Sequence, residues 1–514
     1  MAFVIQTVVE LELAPSTWTN VSVDVLDGIS AQYGITGGKP TDRVASTGTL
    51  RLRLMNGAWN AAGQSGKLGQ GHYSPGHAQV VQGFDISIGI RWRQDRVVAR
   101  YFFTGRIASI TVVPGRYGAQ ETLIEAVDWM DEAATQTLSG IPTQLAQRAD
   151  QILVTALASV TLQPTATDFD TGDSTFAYAL DNAQDESTRL LQALAAVIMS
   201  EAGYLYLLGD GTLVFESRTA RALNVTSVAT FIDTMHGLTV SRSRDDLVNV
   251  MQTTVHPRRV DAAATTILWS RDIADDEEPI EMAAGAVVDT IFGAYGDPAN
   301  NRARCGGTDM QAPVSGTDYH MFANADGSGA NLVANLTVTP AFGSNGVRWA
   351  LTNGGAGTGY ITRLRCLGKG IYDRAPVMVE IQDATSVTAF GRRLTQLDMA
   401  YQDDTNAAVG FTEAMLNLYR TAGSYPRTVS VMTGPDAAVT AAILVVDVGS
   451  RITIVETVTG VSADVFVQGC AYTLEQGVMR ATWTLAPADG FTSYWQLGTA
   501  GVSELDDTTV LGYG

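Results

Sequence analysis

The sequence is poor in cysteine and histidine, and neither residue is arranged for metal binding. Its 514 residues include three cysteines, Cys305, Cys366 and Cys470, which are widely spaced and form no CxxC pair. A disulfide framework and a zinc site are therefore not indicated. His72 and His77 share one loop, but no carboxylate or thiol lies beside them in the sequence. The sequence predicts no metal site and no cofactor.

Lysine and long apolar runs are also scarce. Lysine occurs only at Lys39, Lys67 and Lys369, and the net charge is −20. Phosphate contacts need clustered cations, so this composition argues against nucleic-acid binding and suits a surface that DNA slides past. The most apolar windows, such as AAILVVDV, are too short to cross a bilayer. The start, MAFVIQTVVELEL, has no basic segment before an apolar one, which argues against a signal peptide.

The composition and the periodicity indicate a mainly β, multi-domain protein. Hydrophobic residues make up 46% and charged residues 17% of a chain too long for one core. Alternating segments indicate strands, and 61–77 reads as a long exposed loop. Helical spacing is found in 143–160, in 186–203 with Gly203 as its stop, and around 404–420. Asp210-Gly211 between apolar runs indicates a hairpin.

These patterns divide the chain into five parts. We expect a first β-domain at 1–137, a small α+β domain at 138–235, a second β-domain formed by 236–290 together with 373–490, a small inserted β-sandwich or barrel at 291–372, and a tail at 491–514 that contacts a partner.

Candidate catalytic motifs are incomplete. Gly172-Asp173-Ser174 matches a nucleophile motif, but no downstream Asp-x-x-His completes a triad, so a turn is the better interpretation. GGAGTG at 354–359 has the wrong spacing for a dinucleotide and indicates a hairpin loop. Asp398, Asp403 and Asp404 precede a helix, where acidic side chains serve as caps, and the DDEE run at 275–278 indicates a solvated loop. No nucleophile has a base beside it, and we expect a protein that is not an enzyme.

One strand-like stretch, LTVSRSRDDLVNVMQTTVHPRRV at 238–260, carries an unusual density of polar residues. Arg242, Arg244, Asp245, Asp246 and Asn249 interrupt the alternation of its two ends. Such a cluster is either an active site or a seam between domains or subunits. Polar side chains at a seam cap backbone groups and pair with charges on a neighbour. We interpret the stretch as a seam, and charge reversal at Arg244 or Asp246 is expected to impair assembly.

The order of several segments resembles the tail-tip or baseplate hub proteins of tailed bacteriophages, often called minor tail proteins of long-tailed phages. The segments that carry the resemblance are, in order, YSPGH, FTGRIASI, EAGYLYLLGDGTLVFESR, GLTVSRSRDDLVNVMQTTV, SVTAFGRRLTQLDMAYQDDTNAA, DVGSRITIVET and GCAYTLEQGVMRATWTL. The closing QLGTAGVSELDDTTVLGYG is also similar to the ends of such proteins.

The resemblance implies an architecture and a set of partners. In such hubs two domains related to the tail-tube barrel alternate around a homotrimer, so that a threefold tip closes a sixfold tube. Here these two tail-tube-like β-barrel domains would be 1–137 and 236–290 with 373–490. Partners would be distal tail-ring or tail-tube proteins above, fibres, a central spike or receptor-binding proteins below, and the tape-measure protein in the lumen, with DNA passing unbound during genome ejection. The location would be the tail tip of the virion, assembled in the host cytoplasm.

Two alternatives belong to other classes. A tail-tip adhesin would bind host carbohydrate through aromatic side chains of 291–372, with Tyr319, Trp349 and Tyr360 as candidate contacts, although core packing also explains such residues. A cell-wall hydrolase would use paired acids such as Asp403 and Asp404.

Overall fold

A computed structural model of the chain describes residues 5–56, 72–76, 80–96, 99–113, 120–138, 140–183, 187–296, 306–421, 425–434 and 436–488. The protein is mainly β and multi-domain, as expected. The expected tail at 491–514, Cys305, His77 and most of the 61–77 loop lie outside the described residues.

The first part of the chain is almost entirely strand. Its elements are β1 (Thr7–Ala14), β2 (Thr17–Asn20), β3 (Ile29–Gly34), β4 (Ser46–Met55), β5 (Gly89–Gln94), β6 (Tyr101–Val113), β7 (Glu121–Val127) and α1 (Trp129–Thr135). We call β1–β7 with α1 the N-terminal β-unit. Residues Leu50, Leu52 and Leu54 of β4 are fully buried while the intervening Arg51 and Arg53 are exposed, so the alternation in the sequence is the alternation of the two sheet faces.

The α+β unit follows. Its elements are β8 (Gln144–Arg148), α2 (Ala149–Ala158), β9 (Ala166–Phe169), β10 (Thr175–Ala179), α3 (Leu190–Glu201), β11 (Tyr204–Leu207), β12 (Thr212–Glu216) and α4 (Ala220–Leu223). The hairpin at Asp210-Gly211 is confirmed. The helix expected from residue 143 begins only at Ala149, because the residues before it pair with β10. Helix α3 ends in a left-handed residue at Ala202, one position before the expected Gly203.

The inserted β-unit is larger than expected. The next elements are β13 (Ala229–Ile232), β14 (Gly237–Ser241), β15 (Val250–Val255), β16 (Arg258–Val260), β17 (Thr266–Asp272), β18 (Ile280–Met282), β19 (Val287–Ala294), β20 (Gly306–Thr308), β21 (Tyr319–Phe322), β22 (Leu336–Phe342), β23 (Gly346–Asn353) and β24 (Gly359–Asp373). Strands β16, β17 and β18 pair with β24, and β19 pairs with β23. The inserted β-unit therefore consists of β16–β24 and starts at Arg258, whereas β13–β15 pair with strands outside it. The sequence pattern assigned 258–290 to the second β-domain.

The last part of the chain contributes strands to two different sheets. Its elements are β25 (Val377–Gln382), α5 (Ala384–Phe390), β26 (Leu394–Met399), α6 (Thr405–Tyr419), β27 (Tyr425–Met432), α7 (Ala437–Val445), β28 (Arg451–Glu456), β29 (Val461–Glu475) and β30 (Val478–Pro487). Strands β25, β15 and β26 form a separate sheet that packs against α6 around Met251, Phe411 and Met415. We call β13, β14, β27–β30 and α7 the C-terminal β-unit.

The N-terminal and C-terminal β-units share one sheet. Its path is β14-β27-β30-β29-β3-β4-β7-β6-β5-β1-β2, and β13 pairs with β28. The junction is the antiparallel pair β29–β3, in which Gly469 lies opposite Gly34. A Cβ atom on Gly34, whose φ is +105°, would lie 2.6 Å from the carbonyl oxygen of Gln468. Glycine is therefore required where the two units cross.

Candidate assembly site: the joints between the units

A buried polar cluster joins the N-terminal, α+β and C-terminal units. We call Tyr33, Arg100, Gly209, Asp447 and Tyr472 the Asp447 joint. Arg100, which directly precedes β6, forms an ion pair with Asp447, which follows α7. The hydroxyl of Tyr33 donates to Asp447 Oδ1 at 2.8 Å, and Gly209 N donates to Oδ2 at 3.3 Å. One carboxylate therefore binds groups from three parts of the chain.

The second terminal nitrogen of Arg100 also makes contacts at the Asp447 joint. Its Nη2 lies 3.2 Å from the carbonyl oxygen of Val446, from the Tyr33 hydroxyl and from the Tyr472 hydroxyl. Burial alone would lower the pKa of Arg100, but Asp447 together with the Tyr33 and Tyr472 side chains raises it, and the pKa lies well above its ordinary value. Burial raises the pKa of Tyr33 well above its ordinary value. The joint thus keeps one charge pair and neutral phenols.

Gly209 packs closely against β6, the strand that begins directly after Arg100. A Cβ atom on Gly209 would lie 2.3 Å from the carbonyl oxygen of Tyr101 and 2.9 Å from the hydroxyl of Tyr33. The hydroxyl of Thr104 donates to the carbonyl oxygen of Gly209 at 3.0 Å. The hairpin of the α+β unit is therefore pressed against β6 at a position where no side chain fits.

Two further buried arginines connect the same units. Arg43 precedes β4 and donates to backbone carbonyl oxygens of Pro40 and Ala202, with its guanidinium 5.0 Å from the Phe411 ring centroid. Arg221 of α4 donates to Glu216 at 2.7 Å, and its guanidinium lies 3.5 Å from the Tyr204 ring centroid and 5.2 Å from that of Phe466 on β29. Planar guanidinium groups combine ion pairing with stacking, so both residues bind elements from different units at once.

The residues expected at the seam divide into two groups. The first group follows β14: Arg242 and Arg244 are exposed, and Asp246 forms an ion pair with Arg427 of β27. Asp245 lies in the 3-10 turn Arg244–Asp246. The guanidinium of Arg427 stacks on Tyr425, 3.8 Å from its ring centroid. This group therefore fastens the chain after β14 to the neighbouring strand of the shared sheet.

Asn249 forms the second group by itself. It is fully buried, and its Nδ2 donates to the carbonyl oxygen of Gly391 at 2.8 Å. Its Oδ1 accepts from Arg393 N at 2.7 Å, and its backbone oxygen accepts from Asp383 N at 3.0 Å. Asn249 thus fixes the start of β15 to the segments that flank α5. No substrate is needed to explain any of these contacts.

The inserted β-unit is attached through the α+β unit. Arg258 at its start donates to Asp181 at 2.6 Å, and both side chains are buried. Ser344 donates to the carbonyl oxygen of Ala183 at 2.6 Å, and Thr143 donates to that of Gly307 at 3.0 Å. The unit is therefore attached at its first strand β16, at β20 and at the loop between β22 and β23.

The candidate carbohydrate contacts are not all on the surface of the inserted β-unit. Trp349 is fully buried and lies 5.8 Å from the ring of Trp269 in the core of the unit. Tyr319 and Tyr360 are half-buried on β21 and β24. Core packing explains the tryptophan, because it belongs to the buried hydrophobic cluster of this unit together with Leu364.

The acidic and glycine-rich motifs have structural roles in the described part of the chain. Asp404 is the N-cap of α6 and accepts from Asn406 N at 2.8 Å. Asp173 lies in a turn, and its backbone N–H donates to Glu201 at 2.7 Å. Residues 354–359 connect β23 to β24 as the expected hairpin loop. Among the described residues, no cluster of metal-binding side chains occurs, and none of the helices is long and apolar enough to cross a membrane.

Sequence reasoning missed Asp447 and Arg100. They are 347 residues apart, and each lies next to ordinary strand patterns. A weak signal was available: Arg100 is a cation inside an otherwise apolar run, VVARYFF, where a charge needs a partner.

Comparison with solved structures finds tail proteins. No protein-family model matches the chain, and no curated protein does. It is similar to the tail protein from Neisseria meningitidis MC58 (10% identity, 94% of this chain and 96% of that one, TM-score 0.48). It is also similar to the prophage MuSo2 43 kDa tail protein from Shewanella oneidensis (8%, 95% and 99%, 0.47). A third similar structure is the prophage tail protein gp18 from Listeria monocytogenes EGD-e (8%, 93% and 94%, 0.41). All three are described as tail proteins, which is the class that the order of segments resembles.

Proposed function

We propose that this chain is a structural subunit of a bacteriophage tail tip, a hub whose copies close the tail tube as a homotrimer. The observation that carries the proposal is the shared sheet. Two β-units of one chain continue into each other through β29–β3, so each copy contributes two adjacent units to one curved wall. Three such copies form a ring of six units, which matches a threefold tip to a sixfold tube.

The outward face of the shared sheet supports a role as a channel wall. Cross-strand neighbours on five strands place hydroxyl, amide and methyl groups in one row: Ser430, Thr482, Ala471, Gln32 and Thr49. The opposite face at this place is buried core, including Val431, Trp483 and Leu50. This row carries no cation, so it offers the phosphates of passing DNA no ion pair.

Of the arginines near this row, Arg51 and Arg53 are paired with acids, whereas Arg480, which is exposed two positions from Thr482, lies 3.1 Å from His236. Arg51 lies 3.0 Å from Glu125, and Arg53 lies 3.3 Å from Glu121. These pairs are exposed and contribute little to stability, but they cancel charge on the face. The net charge of −20 also opposes binding of DNA, over longer distances.

The proposal also specifies position and partners. In the virion the ring lies at the tail tip, with distal tail proteins above, fibres, a spike or receptor-binding proteins below, and the tape-measure protein in the lumen. We propose a structural role and not hydrolysis, because Asp404 serves as a helix cap. Incubation with purified peptidoglycan should release no fragments, and release of fragments would support the hydrolase alternative.

The proposal is tested by mass and shape. Light scattering of the purified protein over a range of concentrations, with negative-stain images of the same samples, should show a threefold ring with an open centre at high concentration. A protein that remains a monomer at every concentration, also when mixed with the tail-tube protein of the same phage, would contradict the proposal.

A further inference from the structure

Within the described part of the chain, the shared sheet has two strand edges that pair with no further strand, and these two edges are complementary to each other. Its eight-strand part runs β14-β27-β30-β29-β3-β4-β7-β6. At one end, among the described residues, β14 pairs with β27 alone. At the other end, β5 pairs with β6 only as far as Arg106, and residues 108–113 of β6 pair with β7 alone in the described part of the chain. Unpaired strand edges offer backbone donors and acceptors to another chain.

The orientation of the strands favours joining one edge to the other. All seven neighbouring pairs in this path are antiparallel. With eight strands that alternate in direction, β14 and β6 run in opposite directions. A copy rotated about an axis parallel to the strands presents its β14 antiparallel to the β6 of its neighbour. The alternation therefore continues across the boundary without a break.

The two edge strands also match in the side chains that they direct toward the core and toward the outside. In β14, Leu238 packs partly against the main core while Thr239 is exposed. In β6, Ile110 packs partly against the same core, and Thr111 is exposed on the other face. Val112 and Val113 at the end of β6 are 41% and 43% exposed, which is unusual for valine in a strand. Pairing would align apolar with apolar and hydroxyl with hydroxyl.

We propose that β14 of one copy pairs with residues 108–113 of β6 in the next copy, so that the shared sheet continues around the ring. This inference rests on the proposed function and names the surface through which its copies join. The contact is head-to-tail: each copy uses a different edge toward each neighbour. Such contacts close into a ring when the rotation between copies permits it, whereas a twofold contact would stop at a dimer.

Cross-linking between variants with one introduced cysteine tests the pairing. Cys305 is replaced by serine in every variant, and Cys366 and Cys470 are buried, which limits background reaction. Thr239→Cys and Thr111→Cys copies are mixed and treated with a short bismaleimide. We expect a cross-linked dimer from the mixture and none from either variant alone. A matched control replaces Thr111→Cys with Thr17→Cys, an exposed threonine on β2 at the far end of the full sheet, and this mixture should give no dimer.

Three outcomes would overturn the inference. The first is a cross-linked dimer from Thr239→Cys alone, which indicates a twofold contact. The second is a ring in electron micrographs whose Thr239→Cys and Thr111→Cys copies do not cross-link, which leaves the proposed function in place but moves the contact elsewhere. The third is a persistent monomer without cross-links, which also contradicts the proposed function.

A second variant separates assembly from folding. Val112→Lys places a charge on the proposed edge, where lysine prevents strand addition. Since Val112 is 41% exposed, the monomer should keep its melting temperature while its ring fraction falls. Val458→Lys, at a position that is 91% exposed in the β28–β29 hairpin, is the matched control and should assemble like the unmodified protein. Equal assembly of both variants would contradict the pairing.

Discussion

The ion pair of Arg100 and Asp447 shows how much a single buried charge matters in this protein. The two side chains are 13% and 11% exposed, and the carboxylate also accepts from Tyr33 and Gly209. Separating two charges in such a place leaves each without solvent or a partner. Much of the fixed arrangement of the three units therefore depends on one carboxylate.

Asp447→Asn tests this dependence. The substitution keeps the shape of the side chain but leaves the Arg100 charge buried and unpaired, which costs about 3–5 kcal/mol of stability. Denaturant unfolding followed by tryptophan fluorescence should show the first unfolding transition at a lower denaturant concentration. The control is Glu121→Gln, which breaks the exposed pair with Arg53 and should cost less than about 1 kcal/mol. Equal effects of both changes would show that the Asp447 joint contributes no special stability.

Asp128 makes stability depend on pH. It is the N-cap of α1, is 5% exposed, and accepts from Met130 N at 3.0 Å. Burial raises its pKa from 3.8 to about 7. The unfolded chain releases this proton near pH 4, whereas the folded protein keeps it to about pH 7. Because the folded state binds more protons in this window, the free energy of unfolding falls as pH rises through it.

Asp128→Asn should flatten this pH dependence. Asparagine caps a helix as well as aspartate does, but it does not titrate. Three pKa units correspond to about 4 kcal/mol, so the free energy of unfolding of the variant should rise by that amount relative to the parent between pH 4 and pH 7. Melting temperatures measured from pH 4.5 to 8 check this. Asp436→Asn, at the exposed cap of α7, is the control, and an unchanged slope in Asp128→Asn would contradict the assignment.

At the level of elements, short-range patterns were predictable and long-range pairing was not. The alternation of β4, the hairpin at Asp210-Gly211 and the Asp404 cap follow from neighbouring residues. The strand 144–148 was missed because its partner β10 lies about thirty residues away in sequence, and apolar spacing alone does not distinguish such a strand from a helix. The junction β29–β3 connects residues more than 430 positions apart, and no local pattern encodes it.

The polar stretch 242–249 stands out in the sequence, but its contacts were not predictable from it. Asn249 and Asp246 were identified from their polar character within a strand-like stretch. Which partners they bind depends on Arg427 and on the segments beside α5, which fold against them from far along the chain. The extent of the inserted β-unit was misjudged for the same reason, since only pairing with β24 assigns the strands from 258 onward.

Asp246→Arg tests the role of the seam in holding β14. The new cation would lie beside Arg427 and repel it, so that the pairing of β14 with β27 loosens at its Ser241–Tyr425 end. Hydrogen exchange of residues 237–241 and 425–430 should increase while the rest of the protein keeps its protection. Arg244→Glu reverses an exposed charge in the same turn and should leave this exchange unchanged. Similar exchange in both variants would assign no structural role to the ion pair.

For the whole molecule, the arrangement separates a continuous structural body from an appended unit. The inserted β-unit has its own core, which includes Tyr295, Trp349 and Leu364 and is distinct from the core shared by the other units. By contrast, β15, β25 and β26 share a core with α6 and with Phe466 of β29. An appended unit of this kind can vary without altering the body, which suits a part that meets different partners.

Excision of residues 259–372 tests this separation. Arg258 and Asp373 are paired neighbours on β16 and β24, so a short Gly-Ser linker connects them, and the Arg258–Asp181 ion pair is kept. We expect a soluble protein that forms rings of the same symmetry, with a lower melting temperature because the Ser344 and Thr143 contacts are lost. The control removes 377–399 instead; since that segment shares the α6 core, the product should be insoluble. If excision of 259–372 also prevented folding, the inserted β-unit would be part of the structural body. Rings that form but fail to adsorb to host cells would assign the unit to receptor contact.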